Sequence, residues 1–359
     1  MRVEKLCFDG FRNLETGCVT PSYGVNVFYG DNAQGKTNLL EAIWLFTGSR
    51  SFRGAKDREL CRLGQERAVL QMDFFAGNRE QNAQLTIETR RKLTLNGVEK
   101  LPASKLAGVF CGIVFSPTHL SLIKDGPEGR RRFMDAAYCQ LRPAYLGTLA
   151  EYNRVLTQRN AVLKNGGDPT LLSLWDEKLA LIGSRIYIAR QAYIAKIQPV
   201  VRELYDGLSG GREQLEIAYL SDIPSGDKNA VASALYAQLQ QSRPRDLAAG
   251  FTTAGVHRED FTVNINGLSA KTYGSQGQQR SAVLSLKLAE AAILKEVTGE
   301  QPIALLDDVM SELDVSRQDY ILNHIEGWQV FITCCEPSTV LRLTGGKAFA
   351  IKQGVVTPM

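Results

Sequence analysis

A chain of 359 residues is too long for one simple core, so two or more packed units are expected. With 44% hydrophobic and 22% charged residues the composition is that of an ordinary soluble globular protein, and a net charge of +4 permits an anionic partner without demanding one. No stretch approaches the ~18 apolar residues needed to span a bilayer, and Met1-Arg2-Val3-Glu4-Lys5 carries no apolar signal core. The seven cysteines lack the paired spacing of a disulfide framework, so reduced thiols in a cytoplasmic protein with no membrane partner are expected.

Residues 1–29 read as β structure. Val3, Leu6 and Phe8 form a short apolar run, and Asp9-Gly10-Phe11-Arg12-Asn13-Leu14 turns into the next strand. Val25 to Tyr29 then leads into Gly30-Asp31-Asn32-Ala33-Gln34-Gly35-Lys36-Thr37, of the form G-x-x-x-x-G-K-T, and a helical run follows from Asn38 to Phe46. Strand, glycine-rich loop and helix are the context a phosphate-binding loop requires. Gly30 and Gly35 allow successive N–H groups to turn inward, and the helix N-terminus adds partial positive charge. Lys36 reaches the β- and γ-phosphates, and the Thr37 hydroxyl is a ligand for Mg²⁺. Arg12 and Asn13 are either nucleotide contacts or members of a surface turn.

The polar, basic stretch Thr47 to Gly54 is a loop in which Arg53 faces phosphate, DNA or solvent. Ala68 to Phe75, Ala83 to Thr89 and Lys92 to Leu95 read as antiparallel strands, with Asn96-Gly97 a hairpin turn and Arg90-Arg91-Lys92 a basic run. Val109 to Phe115 is a buried strand. After Gly126-Pro127 come Arg130, Arg131 and Arg132, which suit either an acidic partner element or a phosphate backbone.

From about residue 130 to 242 the texture is helical. Ala144 to Lys164 is one helix, broken by Asn165-Gly166-Gly167-Asp168-Pro169. Leu172, Trp175, Leu179, Ile182, Ile186, Ala189 and Tyr193 recur at steps of three and four, an apolar seam along a long second helix. The pair is an inserted arm or a bundle packed on a core. Asn229 to Gln241 is a further helix, ended by Ser242-Arg243-Pro244. β texture returns at Phe251, where His257 is structural or lines a site, and Asn266-Gly267 marks another hairpin.

Gly274-Ser275-Gln276-Gly277-Gln278-Gln279-Arg280 opens a strong helix. Ser275 is a helix cap, or it belongs to a loop like the signature loop of ABC-type ATPases, which offers a serine hydroxyl, backbone N–H groups and a helix dipole to a γ-phosphate. Pro302 to Leu306 delivers Asp307 and Asp308 at a strand end, Asp307 for Mg²⁺ and Asp308 to orient the attacking water. Ser311-Glu312-Leu313-Asp314 follows, then the buried strand Gln329 to Thr333.

These blocks in this order resemble an ABC/SMC-type ATPase head. Phe11-Arg12-Asn13-Leu14, the phosphate loop, Ser51-Phe52-Arg53, Gly126-Pro127 with Arg131-Arg132-Phe133-Met134-Asp135, and Leu306 to Asp314 are similar to the RecF family of bacterial DNA repair proteins, over essentially the whole chain. The resemblance implies an α/β P-loop ATPase head with a mixed β lobe and an inserted helical arm. It divides the chain into 1–125 for the first part of the head, 126–245 for the arm and 246–359 for the remainder of the head. It implies ATP and Mg²⁺ as cofactors, with Lys36 and Asp308 catalytic and Thr37 and Asp307 on the metal. Gly30 to Thr37, Arg12, Asn13, and Ser275, Gln276 and Gly277 of a second copy contact nucleotide, while Arg53, Arg130, Arg131 and Arg132 are candidates for DNA. It further implies an ATP-dependent homodimer that binds double-stranded, gapped or junction DNA in recombinational repair, hydrolyses ATP weakly, and works with RecO and RecR type partners to load recombinase. The chain departs from the family at Thr118, Val256 and Glu259, and Cys334-Cys335-Glu336 stands where the superfamily often has a phosphate-sensing histidine. Another ABC-type subunit, a small-molecule P-loop kinase and an SMC-type tether are the competing readings. A kinase leaves the Gly274–Arg280 loop unexplained, and a tether needs hundreds of heptad residues.

Overall fold

The computed structural model describes residues 1–337 and 345–359, which form two compact units. The first comprises Met1–Leu120, Gly207–Gly211 and Ser281–Met359; the second comprises Ser121–Asp206 and Arg212–Arg280.

In the first unit, apolar runs too short for helices pair into a largely parallel six-stranded sheet. Its order is Val355–Pro358, Lys347–Lys352, Val25–Tyr29, Val330–Cys334, Ile303–Asp307 and Gly112–Phe115. Only the Val355–Pro358 edge strand is antiparallel. The central strands are buried on both faces, as their uninterrupted apolar sequences require. A second six-stranded sheet, wholly antiparallel, runs Gly17–Val19, Arg2–Asp9, Ala68–Ala76, Arg79–Ile87, Arg91–Leu95 and Val98–Pro102. Ala68–Ala76 alternates buried and less buried residues, the period-two pattern of a sheet with one face on a core. Phe28, Phe331 and Phe349 from the first sheet join Leu70, Met72 and Phe74 from the second in one apolar cluster. Asn96 and Gly97 both have positive φ, as do Asn266 and Gly267, the backbone that two-residue hairpins demand.

The second unit contains the helices Pro127–Leu141, Tyr145–Lys164, Pro169–Ser209 (its last three residues belonging to the first unit) and Lys228–Ala249, with a three-stranded sheet. The expected seam of the 41-residue helix is buried at Leu172, Leu179, Ile182, Ile186 and Tyr193. At ~1.5 Å per residue this helix is about 60 Å long.

Three expectations need correction, and the alternatives left open for His257 narrow to one. The helix of residues 228–249 does not stop at Pro244 but continues to Ala249, where Gly250 in the left-handed region closes it. Tertiary bonding outweighs the lost amide: buried Asp246 accepts from Arg159 Nη1 at 2.7 Å and from Thr253 N at 2.9 Å, holding the last turn in place. Residues 246–280 lie with the helical unit rather than the head, because Asp260–Ile265 pairs in continuous register with Leu215–Leu220. Cys7 and Cys18 stand opposite each other on paired strands and form a disulfide, so the cysteines are not all free thiols. His257 is a structural residue: its Nδ1 lies 2.9 Å from the Tyr152 hydroxyl and its Nε2 3.1 Å from the Thr252 carbonyl. Among the described residues no helix is long and apolar enough to cross a membrane.

Candidate nucleotide-binding site

Three parallel strands of the first unit end side by side. Tyr29 is in register with Cys334, and Thr333 with Asp307, so the loops that start at Gly30, Asp308 and Cys335 emerge at one edge of the sheet. The carboxyl ends of such strands are where open α/β sheets bind ligands.

The loop from Gly30 to Gly35 is built around backbone that side chains resist. Gly30 has φ +153°, and a Cβ there would come within 2.3 Å of the Ile351 carbonyl oxygen; Gly35 has φ +116°, and its Cβ would meet Asn13 Oδ1 and Leu14 Cδ2 at 2.9 Å. Ala33 is also in the left-handed region, at φ +66°. The helix Lys36–Trp44 starts directly behind, its first N–H groups outside the helical ladder. Lys36 Nζ donates to the carbonyls of Gly30 at 2.6 Å and Asp31 at 3.0 Å, and it lies 3.6 Å from Cys335 Sγ. Cys335 Sγ donates in turn to Asn32 Oδ1 at 3.4 Å.

Thr37 Oγ1 donates to Asp307 Oδ1 at 2.8 Å, joining the helix start to the acidic strand end. Burial raises the Asp307 carboxyl above its ordinary range, opposed by the hydroxyls of Thr37 and Thr333. A carboxylate whose charge is penalised by burial gains from a cation, and the hydroxyl and carboxylate oxygens are hard ligands of the kind Mg²⁺ takes. Asp308 is a non-glycine residue at φ +55°. Its N–H donates to Thr333 Oγ1 at 2.9 Å and its carbonyl accepts from Ser311 Oγ at 2.9 Å, which fixes the backbone beneath the carboxylate. Thr333 therefore ties the two acids together, donating to Asp307 Oδ1 at 2.9 Å.

Arg12, Asn13, Lys36, Thr37, Arg53 and Asp308 all line one cleft of about 1070 Å³, with Arg58 and Arg62 on its wall. Arg12, at φ +52°, is locked by Glu41: Nε donates to Oε2 at 2.9 Å and Nη2 to Oε1 at 3.1 Å, while Nη1 donates to the Glu59 carbonyl at 2.9 Å. Those bonds use three of the five guanidinium N–H groups and leave two for a ligand. Glu41 is fully buried and also accepts from Ser51 Oγ. Asn13 Nδ2 donates to the Ala33 carbonyl at 3.0 Å, so its amide braces the loop. Arg53 Nη1 donates to Asn38 Oδ1 at 2.8 Å and its side chain stays 43% exposed.

In the second unit the three consecutive arginines have separate fates. Arg130 is buried and bidentate to Asp260 at 2.7 Å, with Nη1 on the Leu122 carbonyl at 2.8 Å, so it is a core ion-pair member and not an exposed cation for DNA. Arg131 donates to the Glu259 carbonyl at 2.8 Å. Arg132 pairs with exposed Glu128 at 3.2 Å and remains solvent-facing. Arg91 likewise is held, by Asp57 at 2.9 Å and the Ser49 carbonyl at 2.6 Å. Ser275, Gln276 and Gly277 stand at the head of the helix Gln276–Thr298, with Ser275 and Gln276 exposed.

Sequence reasoning missed Glu41, Thr333 as the clasp between the acids, and Cys335 as the neighbour of Lys36. The one available signal for Glu41 was a carboxylate set in an otherwise apolar helix face.

The RecF/RecN/SMC N terminal domain family matches residues 2–353. The chain is 39% identical over 364 residues to the DNA replication and repair protein RecF of Lachnoclostridium phytofermentans, covering 99% of both. Two solved structures of the recombination mediator protein RecF in the RecFOR pathway are similar. The one with ATPrS has a TM-score of 0.93 at 37% identity, covering 100% of this chain and 98% of that one. The one with ATP has a TM-score of 0.92 at 38% identity, covering 100% and 99%.

Proposed function

The chain belongs to the RecF family of DNA replication and repair proteins, with the ABC/SMC-type ATPase head fold, and from that premise we propose that it is an ATP-driven dimeric clamp for DNA. ATP binding joins two copies, the dimer grips double-stranded DNA at gaps or junctions, and slow, DNA-stimulated hydrolysis resets it. RecO and RecR type partners then share in loading recombinase.

The observation that carries this reading is the convergence of Lys36, the Thr37–Asp307 pair and Asp308 at adjacent strand ends, beside a glycine-shaped loop. The backbone N–H groups of a loop with this glycine-shaped backbone suit phosphate oxygens. Lys36 would exchange its carbonyl acceptors for β- and γ-phosphate oxygens, a gain because charge-assisted bonds to anions are the stronger. Thr37 and Asp307 would hold Mg²⁺, whose charge offsets that on the phosphates. Asp308 would accept a hydrogen bond from an O–H of the attacking water and orient it in line. Gln276, Gly277 and the Ser275 hydroxyl of a second copy would close over the γ-phosphate.

Sedimentation of the wild type and Lys36→Met, with ATP and with or without double-stranded DNA, tests the proposal. A dimer formed only by wild type with ATP, and retained on DNA, is expected. A monomer indifferent to both ATP and DNA would overturn it.

A further inference from the structure

The serine expected to touch the γ-phosphate is held by a hydrogen-bonded chain that leads away from it. Ser275 Oγ accepts from Gln278 N at 3.2 Å, and Gln278 Oε1 accepts from Ser275 N at 2.7 Å, a reciprocal capping box at the start of the helix. Gln278 Nε2 then donates to Glu213 Oε1 at 2.7 Å. The other oxygen, Glu213 Oε2, accepts from the hydroxyl of Tyr205 at 2.7 Å. Tyr205 is fully buried in the last turns of the long helix Pro169–Ser209. All four residues belong to the second unit.

The chain has a defined polarity. Glu213 Oε1 accepts from the NH₂ end of the Gln278 amide, which turns the carbonyl end toward Ser275 N. The Ser275 hydroxyl has one proton and two lone pairs, and Gln278 N occupies a lone pair, so the proton is left for a further acceptor. A donor is what a phosphate oxygen needs. The approach is stiff on the other side as well, since a Cβ on Gly274 would meet the Ala270 carbonyl oxygen at 2.5 Å and Gln279 Nε2 is tied to that same carbonyl at 2.9 Å.

We propose that Gln278 and Glu213 are positioning residues that aim the Ser275 hydroxyl at the γ-phosphate held by a second copy, and that Tyr205 couples this aim to the long arm helix. The inference rests on the ATP-driven dimer proposed above. Rotation or bending of the last turns of the arm helix would move Tyr205, release Glu213, and free the Gln278 amide to turn.

The test uses the full chain and four variants: Gln278→Ala, Gln278→Glu, Gln278→Glu with Glu213→Gln, and Tyr205→Phe. Three quantities are read: ATP-dependent dimerisation by sedimentation, phosphate release, and affinity of the monomer for a fluorescent ATP analogue at protein concentrations below dimerisation. Gln278→Ala is expected to weaken dimerisation and turnover about fivefold or more, the loss of a capping interaction. The monomer's nucleotide affinity should stay within about twofold, because nucleotide is held by the other unit's loop. Gln278→Glu retains a box acceptor for Ser275 N but faces Glu213 with a like charge, so it should be equally impaired. The exchanged pair restores an amide opposite a carboxylate and should recover dimerisation to within about twofold, a rescue that general loss of folding cannot give. Tyr205→Phe should reduce dimerisation in the same direction. Wild-type behaviour of Gln278→Ala, or no rescue in the exchanged pair, would overturn the inference while leaving the ATP-driven dimer intact. Failure of the wild type itself to dimerise would overturn both.

Discussion

Glu41→Ala should damage both the fold and the nucleotide site, and the size of the effect follows from its surroundings. Glu41 is fully buried on the helix behind the phosphate loop, and Arg12, whose side chain is 19% exposed, holds it with two bonds of 2.9 and 3.1 Å. Removing one member of such a pair leaves the other charge uncompensated, at a cost of about 3–5 kcal/mol for a buried pair. Arg53 adds little to this, being 4.0 Å away and 43% exposed. For a unit of this size each kcal/mol lowers the melting temperature by about 2–4 °C, so a fall of about 6 °C or more is expected. Affinity for a fluorescent ATP analogue should fall too, because Arg12 then loses the partner that sets its place on the cleft wall. The double variant Glu41→Leu with Arg12→Leu separates the two effects. Apolar replacement of both partners should restore most of the melting temperature while nucleotide affinity stays low. Calorimetric melting and fluorescence titration of the three proteins decide it. A melting temperature within about 2 °C of wild type for Glu41→Ala, equivalent to less than about 1 kcal/mol, would refute the buried-charge argument.

Other substitutions probe the remaining assignments. Asp308→Asn should slow phosphate release by about 10²–10⁴-fold and leave the ATP-stabilised dimer in sedimentation; loss of both ATP binding and dimerisation would show the role misassigned. Arg130→Ala should lower the melting temperature, since it leaves Asp260 partly buried without its cation, whereas Arg132→Ala should leave melting unchanged. If Arg132 meets phosphate, its loss should reduce the slope of log affinity for DNA against log salt by about 1, and an unchanged slope would remove it from the interface. His257 has its pKa pushed down to about 4, chiefly by burial. The unfolded chain therefore binds more protons between about pH 6.5 and 4, so this histidine's contribution to stability is present above that window and is lost as pH falls through it. Chemical denaturation from pH 7 to 4 should show a shallower pH dependence for His257→Gln than for wild type; identical slopes would contradict the assignment.

How much could be read from the residues alone followed from the range of the interactions involved. The phosphate loop, the hairpins at Asn96-Gly97 and Asn266-Gly267, and the seam from Leu172 to Tyr193 are specified by neighbours a few positions apart, through backbone sterics or helical period, and all are present in the fold. The strand ending in Asp307 and Asp308 was legible because an apolar run closed by two acids has few other meanings in a protein that also carries a phosphate loop. Features decided by partners distant in sequence were not legible. Pro244 should end a helix on local grounds, yet Asp246 meets Arg159 from 87 residues away and the helix continues. Arg130 suited an acidic element or a phosphate backbone equally well until Asp260, 130 residues on, decided for the first. Cys7 and Cys18 became partners only because two short strands pair in that register. Sequence alone thus determined which chemical groups are available for the phosphate and metal roles proposed. Only the tertiary structure decided which charges remain available, because burial and pairing, not residue type, fix whether an arginine or a carboxylate can face a ligand.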